Sequence, residues 1–123
     1  MKILIVDDTK LSRMMILKRM PPQIKESSTI LQGENGQEAV DLYKEHSPDI
    51  LFLDLTMPVM DGFEALNHIM EYNPKALVYV ITADIQAKAV ERVTAAGARS
   101  LEAKPISEER LAEIFSSHKD LSI

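Results

Sequence analysis

Three apolar runs in this chain each end on a residue that phosphate chemistry can use. Ile3-Leu4-Ile5-Val6 closes on Asp7-Asp8, Ile50-Leu51-Phe52-Leu53 on Asp54, and Leu77-Val78-Tyr79-Val80-Ile81 on Thr82. A fourth segment, Leu101-Glu102-Ala103, closes on Lys104-Pro105. If these runs are parallel strands, their carboxyl ends share one edge of a sheet. The three aspartates, a hydroxyl and an ammonium then meet in a single cleft. Magnesium prefers oxygen ligands, keeps several waters, and is held by one or two carboxylates plus a phosphate. Asp54 ends a buried strand, where an uncompensated charge is costly. A cation shared with Asp8 compensates it and leaves Asp54 able to attack phosphorus and become an aspartyl phosphate. Thr82 offers a donor and Lys104 a compact charge for phosphoryl oxygens. Taken singly, each residue has an ordinary alternative. Asp-Asp can be a turn that caps a helix, a threonine commonly ends a strand, and Asp54 can initiate the turn before Pro58. Asp61 already stands where the next helix needs its cap, so the weight lies on the set.

The bulk properties narrow the field. A chain of 123 residues is the size of one domain, and one domain over 1–123 is expected. A formal charge of −5 argues against nucleic acid, which calls for clustered Lys and Arg. The absence of cysteine excludes a disulfide scaffold, a thiolate zinc site and a thiol nucleophile. His46, His68 and His118 carry no ligand spacing and read as surface or helix-end residues. Met1-Lys2 leads straight into the first apolar run, without the longer apolar stretch of a secretory signal. No run approaches the ~20 residues needed to span a bilayer. A cytoplasmic protein without membrane insertion is expected.

The elements that must position these residues alternate along the chain. Strand signals lie near 2–6, 28–32, 50–54, 76–82 and 100–103, with helical patterns between them. Such alternation predicts an α/β fold: a doubly wound, five-stranded parallel sheet with five helices on its two faces. Asn35-Gly36-Gln37-Glu38 and Asp61-Gly62-Phe63-Glu64 read as capping boxes, and Ser107 caps the last helix with Ile106 and Leu111 at staple spacing. Pro21-Pro22, Pro48 and Pro74 each end a helical pattern, and Gly97 suits a C-terminal cap. The first, third and fourth runs are almost wholly apolar, as strands covered on both faces must be. Ser28-Thr29-Ile30-Leu31 and Ser100-Leu101-Glu102-Ala103 mix in polar residues and belong at the edges. Right-handed crossovers between near neighbours then favour the order 2-1-3-4-5. The chain reverses direction between strands one and three, and the crevice there is where a ligand is expected.

These residues resemble the receiver domain of response regulators in two-component signalling. The resemblance rests on Ile-Leu-Ile-Val-Asp7-Asp8, Asp54-Leu-Thr-Met-Pro-Val-Met-Asp-Gly62, Ile-Thr82-Ala, Ala-Gly97-Ala and Lys104-Pro105, in order and at family spacing. It spans essentially the whole chain. The strand order above is the one already known for flavodoxin-like sheets, receivers among them. The resemblance implies that Asp54 is the phosphoacceptor. It implies that Asp8, Asp54 and the Thr56 carbonyl bind Mg2+ (or Mn2+), with Asp7 assisting through water. It implies that Thr82 and Lys104 contact the phosphoryl group and that the bond before Pro105 is cis. A sensor histidine kinase or histidine phosphotransfer protein would be the donor, with small acyl phosphates as substitutes. The output would be a downstream protein target, bound by the face of the fourth helix, fifth strand and fifth helix. Such a protein catalyses its own phosphorylation and dephosphorylation without turning over an external substrate, as a monomer or as a phosphorylation-dependent dimer. Nothing after the last helix reads as an output domain, so chemotaxis-type or relay signalling in trans is expected.

Two departures and one excess stand out. Leu101 occupies a position where receivers often carry an aromatic switch residue, so leucine packing is expected to replace a swinging ring. Thr56 and Asp84 stand at positions that tune phosphoryl lifetime, and Asp84 is expected to affect the approach of water. The first helix carries Leu11, Met14, Met15, Ile16, Leu17 and Met20, more apolar surface than one buried stripe needs. About half is expected in the core and the rest, with Met15 or Ile16 as representative, in contact with a helical donor. A metal-dependent aspartyl-phosphate phosphohydrolase is the alternative chemistry, but Thr56 stands where its second acid would be. A phosphorylation-independent interaction module would ordinarily lack one of the aspartates or the lysine.

Overall fold

The computed structural model describes residues 1–83 and 85–118. Five strands form one parallel sheet: β1 (Lys2–Val6), β2 (Thr29–Gly33), β3 (Ile50–Leu53), β4 (Val78–Thr82) and β5 (Ser100–Ala103), in the order β2-β1-β3-β4-β5. The helices are α1 (Lys10–Arg19), α2 (Pro22–Ser27), α3 (Gly36–His46), α4 (Gly62–Tyr72), α5 (Ala87–Ala96) and α6 (Glu108–Ser117). Expected strand order and edge strands are both observed. The difference is α2, a sixth helix of six residues. Pro21-Pro22 does end α1, but Pro22 also opens α2, where a residue without an N–H loses nothing and its fixed φ suits a first turn. The fourth and fifth expected helices are therefore α5 and α6. No described helix is long and apolar enough to cross a membrane.

The strands alternate between two cores. Ile3, Ile5, Ile50, Phe52, Tyr79 and Ile81 face α1 and α6, where Ile16, Met20, Leu111, Ile114 and Phe115 cover them. Leu4, Val6, Leu51, Leu53, Val78 and Val80 face α3, α4 and α5, where Val40, Tyr43, Leu66, Ile69 and Val93 cover them. From Ile3 to Val6, Ile50 to Leu53 and Val78 to Ile81 these strands are thus apolar throughout, because water reaches neither face.

Register makes the sheet edge. Val6 pairs with Gly33 and with Leu53, Leu53 with Val80, and Thr82 with Ala103. The residues that follow these pairs, or close them, are Asp7, Asp54, Thr82 and Lys104. Asp54 N donates to Val6 O at 3.0 Å and Lys104 N to Thr82 O at 2.9 Å, so the ladder reaches the acidic residues themselves.

The helix caps follow the sequence in most respects. Asn35, Asp61 and Ser107 each accept from the backbone three residues on, at 2.9, 2.9 and 3.0 Å. Glu38 reaches back to Glu34 N and to the Asn35 side chain. Glu64 instead lies 3.8 Å from His68, one turn further along α4. Gly97 closes α5 at φ 109°, in the left-handed region.

Candidate functional site

The carboxyl edge of β1 and β3 brings the three aspartates together. Asp7, Asp8 and Asp54 each place one carboxylate oxygen so that all lie within 4.8 Å of one another. Asp7 is 2% exposed and Asp54 5%, whereas Asp8 is open to solvent. Successive residues at a strand end point in different directions, so one of the pair is buried and the other meets water.

Lys104 enters from the turn after β5 and bridges the buried pair. Its Nζ donates to Asp7 Oδ2 at 2.6 Å and to Asp54 Oδ2 at 3.2 Å. The Lys104–Pro105 bond is cis, as the resemblance implied. The other Asp54 oxygen, Oδ1, accepts from Leu55 N at 2.8 Å. Asp7 Oδ1 accepts from both the backbone and the hydroxyl of Thr9. Thr9 itself caps α1, a task that neither aspartate performs. Thr82 is buried at the end of β4, with its carbonyl held by Lys104 N. Thr56 lies exposed on the loop two residues beyond Asp54.

The charges do not balance. Burial raises the Asp54 carboxyl above its ordinary range; the Lys104 ammonium opposes the rise and the Asp7 carboxylate reinforces it. Burial alone would lower the Lys104 ammonium, but its bonds to Asp7 and Asp54 outweigh that and hold it above its ordinary value. One ammonium is therefore shared between two buried carboxylates and leaves Asp54 under-compensated. The donor set is all carboxylate oxygen, which suits a hard divalent cation. Charge deficit and ligand chemistry thus agree: the residues present fit Mg2+ or Mn2+.

The loop between β3 and α4 holds Asp54 in place. Gly62 N donates to Leu55 O at 2.8 Å and Gly36 N to Met60 O at 2.9 Å. A Cβ on Gly62 would lie 2.1 Å from Asp54 O, and one on Gly36 2.1 Å from Met60 O. Glycine is required at both positions because the loop backbone packs directly against them.

The response regulator receiver domain family model matches residues 3–116. The chain belongs to this family. The receiver is 39% identical over 112 residues to chemotaxis protein CheY of Bacillus subtilis (strain 168), covering 91% of this chain and 92% of that one. It is 37% identical over 117 residues to Protein CcdB of the same organism, covering 94% of each. Among solved structures it resembles the CheX-CheY-BeF3-Mg+2 complex from Borrelia burgdorferi, with a TM-score of 0.84 and 31% identity over 95% of this chain and 88% of that one. The flavodoxin-like fold and the two-component class expected from the sequence are those found.

Several receiver residues differ from expectation. Ile16 is buried and packs beneath the sheet, so it belongs to the core and not to a docking patch. Leu11 and Met14 supply the exposed part, at 70% and 54%. Leu101 is partly buried against the α3–α5 core. His118 does end α6, but it is buried, with Nε2 2.6 Å from Tyr79 Oη. Asp84 lies outside the described residues. Sequence reading missed Arg13, a buried guanidinium behind the pocket. An arginine amid the large apolar residues of α1, five residues after Asp8, was the available signal.

Proposed function

We propose that this receiver is a single domain over 1–123 that accepts a phosphoryl group on Asp54 and signals by phosphorylation-dependent protein binding. The observation that carries the reading is the under-compensated Asp54 carboxylate, buried 3.2 Å from Lys104 and grouped with Asp7 and Asp8. The donor is a phosphohistidine on a sensor kinase or phosphotransfer protein. Asp54 Oδ2 attacks phosphorus while Leu55 N–H holds Oδ1. The P–N bond breaks, its electron pair stays on the imidazole nitrogen, and an aspartyl phosphate forms. The Lys104 ammonium offsets charge on the phosphoryl oxygens, and the Thr82 hydroxyl donates to one of them. Phosphoryl transfer asks little more of a protein than such positioning and neutralisation. Asp8, Asp54 and the Thr56 carbonyl would hold Mg2+, with Asp7 acting through water. When bound, the ion neutralises developing negative charge and lowers the cost of bringing two anions together. In hydrolysis, water attacks phosphorus, the bond to Asp54 breaks and the carboxylate returns.

Intact-mass measurement with magnesium and a small acyl phosphate tests this. The wild type gains one phosphoryl group and Asp54→Asn gains none. Labelling of Asp54→Asn at the wild-type rate, or no labelling of the wild type by any donor, would sink the proposal.

The likeness to CheY supports a motility-type pathway in the cytoplasm, and the BeF3 and Mg2+ named in the Borrelia complex support a metal-dependent phosphoryl site. The donor approaches over α1. A cavity of about 260 Å³ opens between α1 and the turn after β5, lined by Met15, Arg19, Ile81, Lys104, Pro105 and Ile106 among others. Exposed Leu11 and Met14 continue this surface toward Lys18 and Lys25. Met15→Glu should slow transfer from a phosphohistidine protein by about tenfold, since burying an unpaired charge at an interface costs at least ~1.4 kcal/mol. Labelling by a small acyl phosphate should not change. Equal slowing with both donors would remove the docking role. Targets bind the face of α5, β5 and α6, where Val90 of α5 and Ile85 just before it are exposed.

A further inference from the structure

We infer that Arg13 is a positioning residue for the acidic pocket: its buried guanidinium grips the Asp7 carbonyl and so sets the directions of the Asp7 and Asp8 carboxylates. The inference deepens the proposed function and rests on it. Arg13 lies on the second turn of α1 and is 6% exposed. Its Nη1 donates to Asp7 O at 2.6 Å, its Nε donates to Gln32 Oε1 at 3.0 Å, and its Nη2 lies 3.7 Å from Glu34 Oε1. The planar fork thus joins the ends of β1 and β2 through one side chain, which a lysine cannot reproduce.

The same segment is tied from its other side. Asp7 N donates to Gly33 O at 3.2 Å, Thr9 holds Asp7 Oδ1, and Arg13 N donates to Thr9 O at 3.3 Å. Residues 7–13 therefore form a loop that the Arg13 side chain closes onto the Asp7 carbonyl. The gripped carbonyl belongs to the peptide that joins Asp7 to Asp8. Rotation of that peptide would swing Asp8 away from Asp54 and draw Asp7 Oδ2 off Lys104. A buried charge is an expensive way to fill space, and a methionine would pack there at less cost. Holding the orientation of the ligands is what the guanidinium adds. Residues that orient metal ligands without touching the ion typically change metal affinity by about 10–100-fold when removed.

The test is Mn2+ binding followed by the EPR signal of the free ion, with no phosphodonor present. Arg13→Met should bind Mn2+ about tenfold more weakly than the wild type. Arg13→Lys keeps the charge but not the three-way reach, and should fall with Arg13→Met. The magnesium concentration for half-maximal labelling should rise in parallel, with the rate at saturating metal nearly unchanged. A purely structural role would lower the thermal midpoint without moving either affinity. Wild-type Mn2+ affinity in folded Arg13→Met, or full recovery by Arg13→Lys, would overturn the inference. If Arg13→Met does not fold, the double variant Gln32→Ala/Glu34→Ala changes exposed residues only and frees the guanidinium from β2. It should weaken Mn2+ binding by about threefold, and an unchanged affinity would also overturn the inference. Labelling of the wild type by an acyl phosphate is run alongside. Its failure would count against Asp54 as phosphoacceptor, whereas the Mn2+ titration judges Arg13.

Discussion

The segments after β3 and β4 leave the same sheet edge and follow equally buried strands, yet the helices they lead into start differently. The loop from Asp54 to Asp61 is pinned at both ends by Leu55, Met60, Gly36 and Gly62, and its helix starts on a side-chain cap from Asp61. It also carries strain. Val59 sits at φ 68° in a γ-turn closed by Met60 N and Pro58 O at 2.7 Å, a conformation that a β-branched residue adopts at a cost. Beyond Thr82, α5 begins at Gln86 with no side-chain cap, and Ile85 and Val90 project into solvent. The first loop holds Asp54, the proposed phosphoacceptor; the second leads into α5, part of the proposed partner face. Among the described residues, the start of α4 is tied by a side-chain cap and the start of α5 is not.

Breaking the pinned side should produce the largest effect. Gly62→Ala places a methyl 2.1 Å from the Asp54 carbonyl, so the loop must move. A loss of about 3 kcal/mol in urea unfolding is expected, with labelling of Asp54 reduced in parallel. A loss below about 1 kcal/mol would show that the loop gives way easily and that the contrast between the two segments is weaker than described.

Relaxing the strain should give a smaller change of opposite sign. Val59 is 83% exposed, so Val59→Gly gives up little buried surface and frees the positive φ. The expected gain is about 1 kcal/mol, reduced by the extra freedom of glycine in the unfolded chain. No gain by denaturant titration would mean that the turn stores little energy.

Strengthening the start of α5 should have the smallest effect on stability. Gln86→Asp supplies the missing N-cap of α5 and should add about 0.5–1 kcal/mol. If α5 shifts on phosphorylation, this variant should also weaken phosphorylation-dependent partner binding while leaving the labelling rate unchanged. Unaltered partner binding, despite slower amide exchange in α5, would remove α5 from the response.

The parts of the site legible in advance were those with local signatures. Apolar runs ending on Asp7-Asp8, Asp54 and Thr82 mark buried strands whose last residue emerges at an edge, and period and length suffice to find them. The caps at Asn35, Asp61 and Ser107 were legible because cap and recipient lie three residues apart. What escaped has no short-range signature. Arg13 looks like an intruder in an apolar helix until β2 brings Gln32 and Glu34 beside it. His118 looks like a frayed helix end until it meets Tyr79, 39 residues away in the chain. The second proline at 21–22 looked like a repeated stop, although at a first helical position it is also a start.

By itself, the order of residues decided which side chains end each strand, which strands are central, and that oxygen ligands and one ammonium would gather at one edge. Hydrophobic periodicity and capping chemistry act over a few residues, so they can be read without coordinates. Tertiary structure alone decided that Lys104 bridges Asp7 and Asp54, that Gly36 and Gly62 admit no side chain, and that Ile16 is core while Met14 is surface. Those outcomes depend on strand register and on which backbone passes within a van der Waals radius of another. Contacts between segments dozens of residues apart are set when the whole sheet closes.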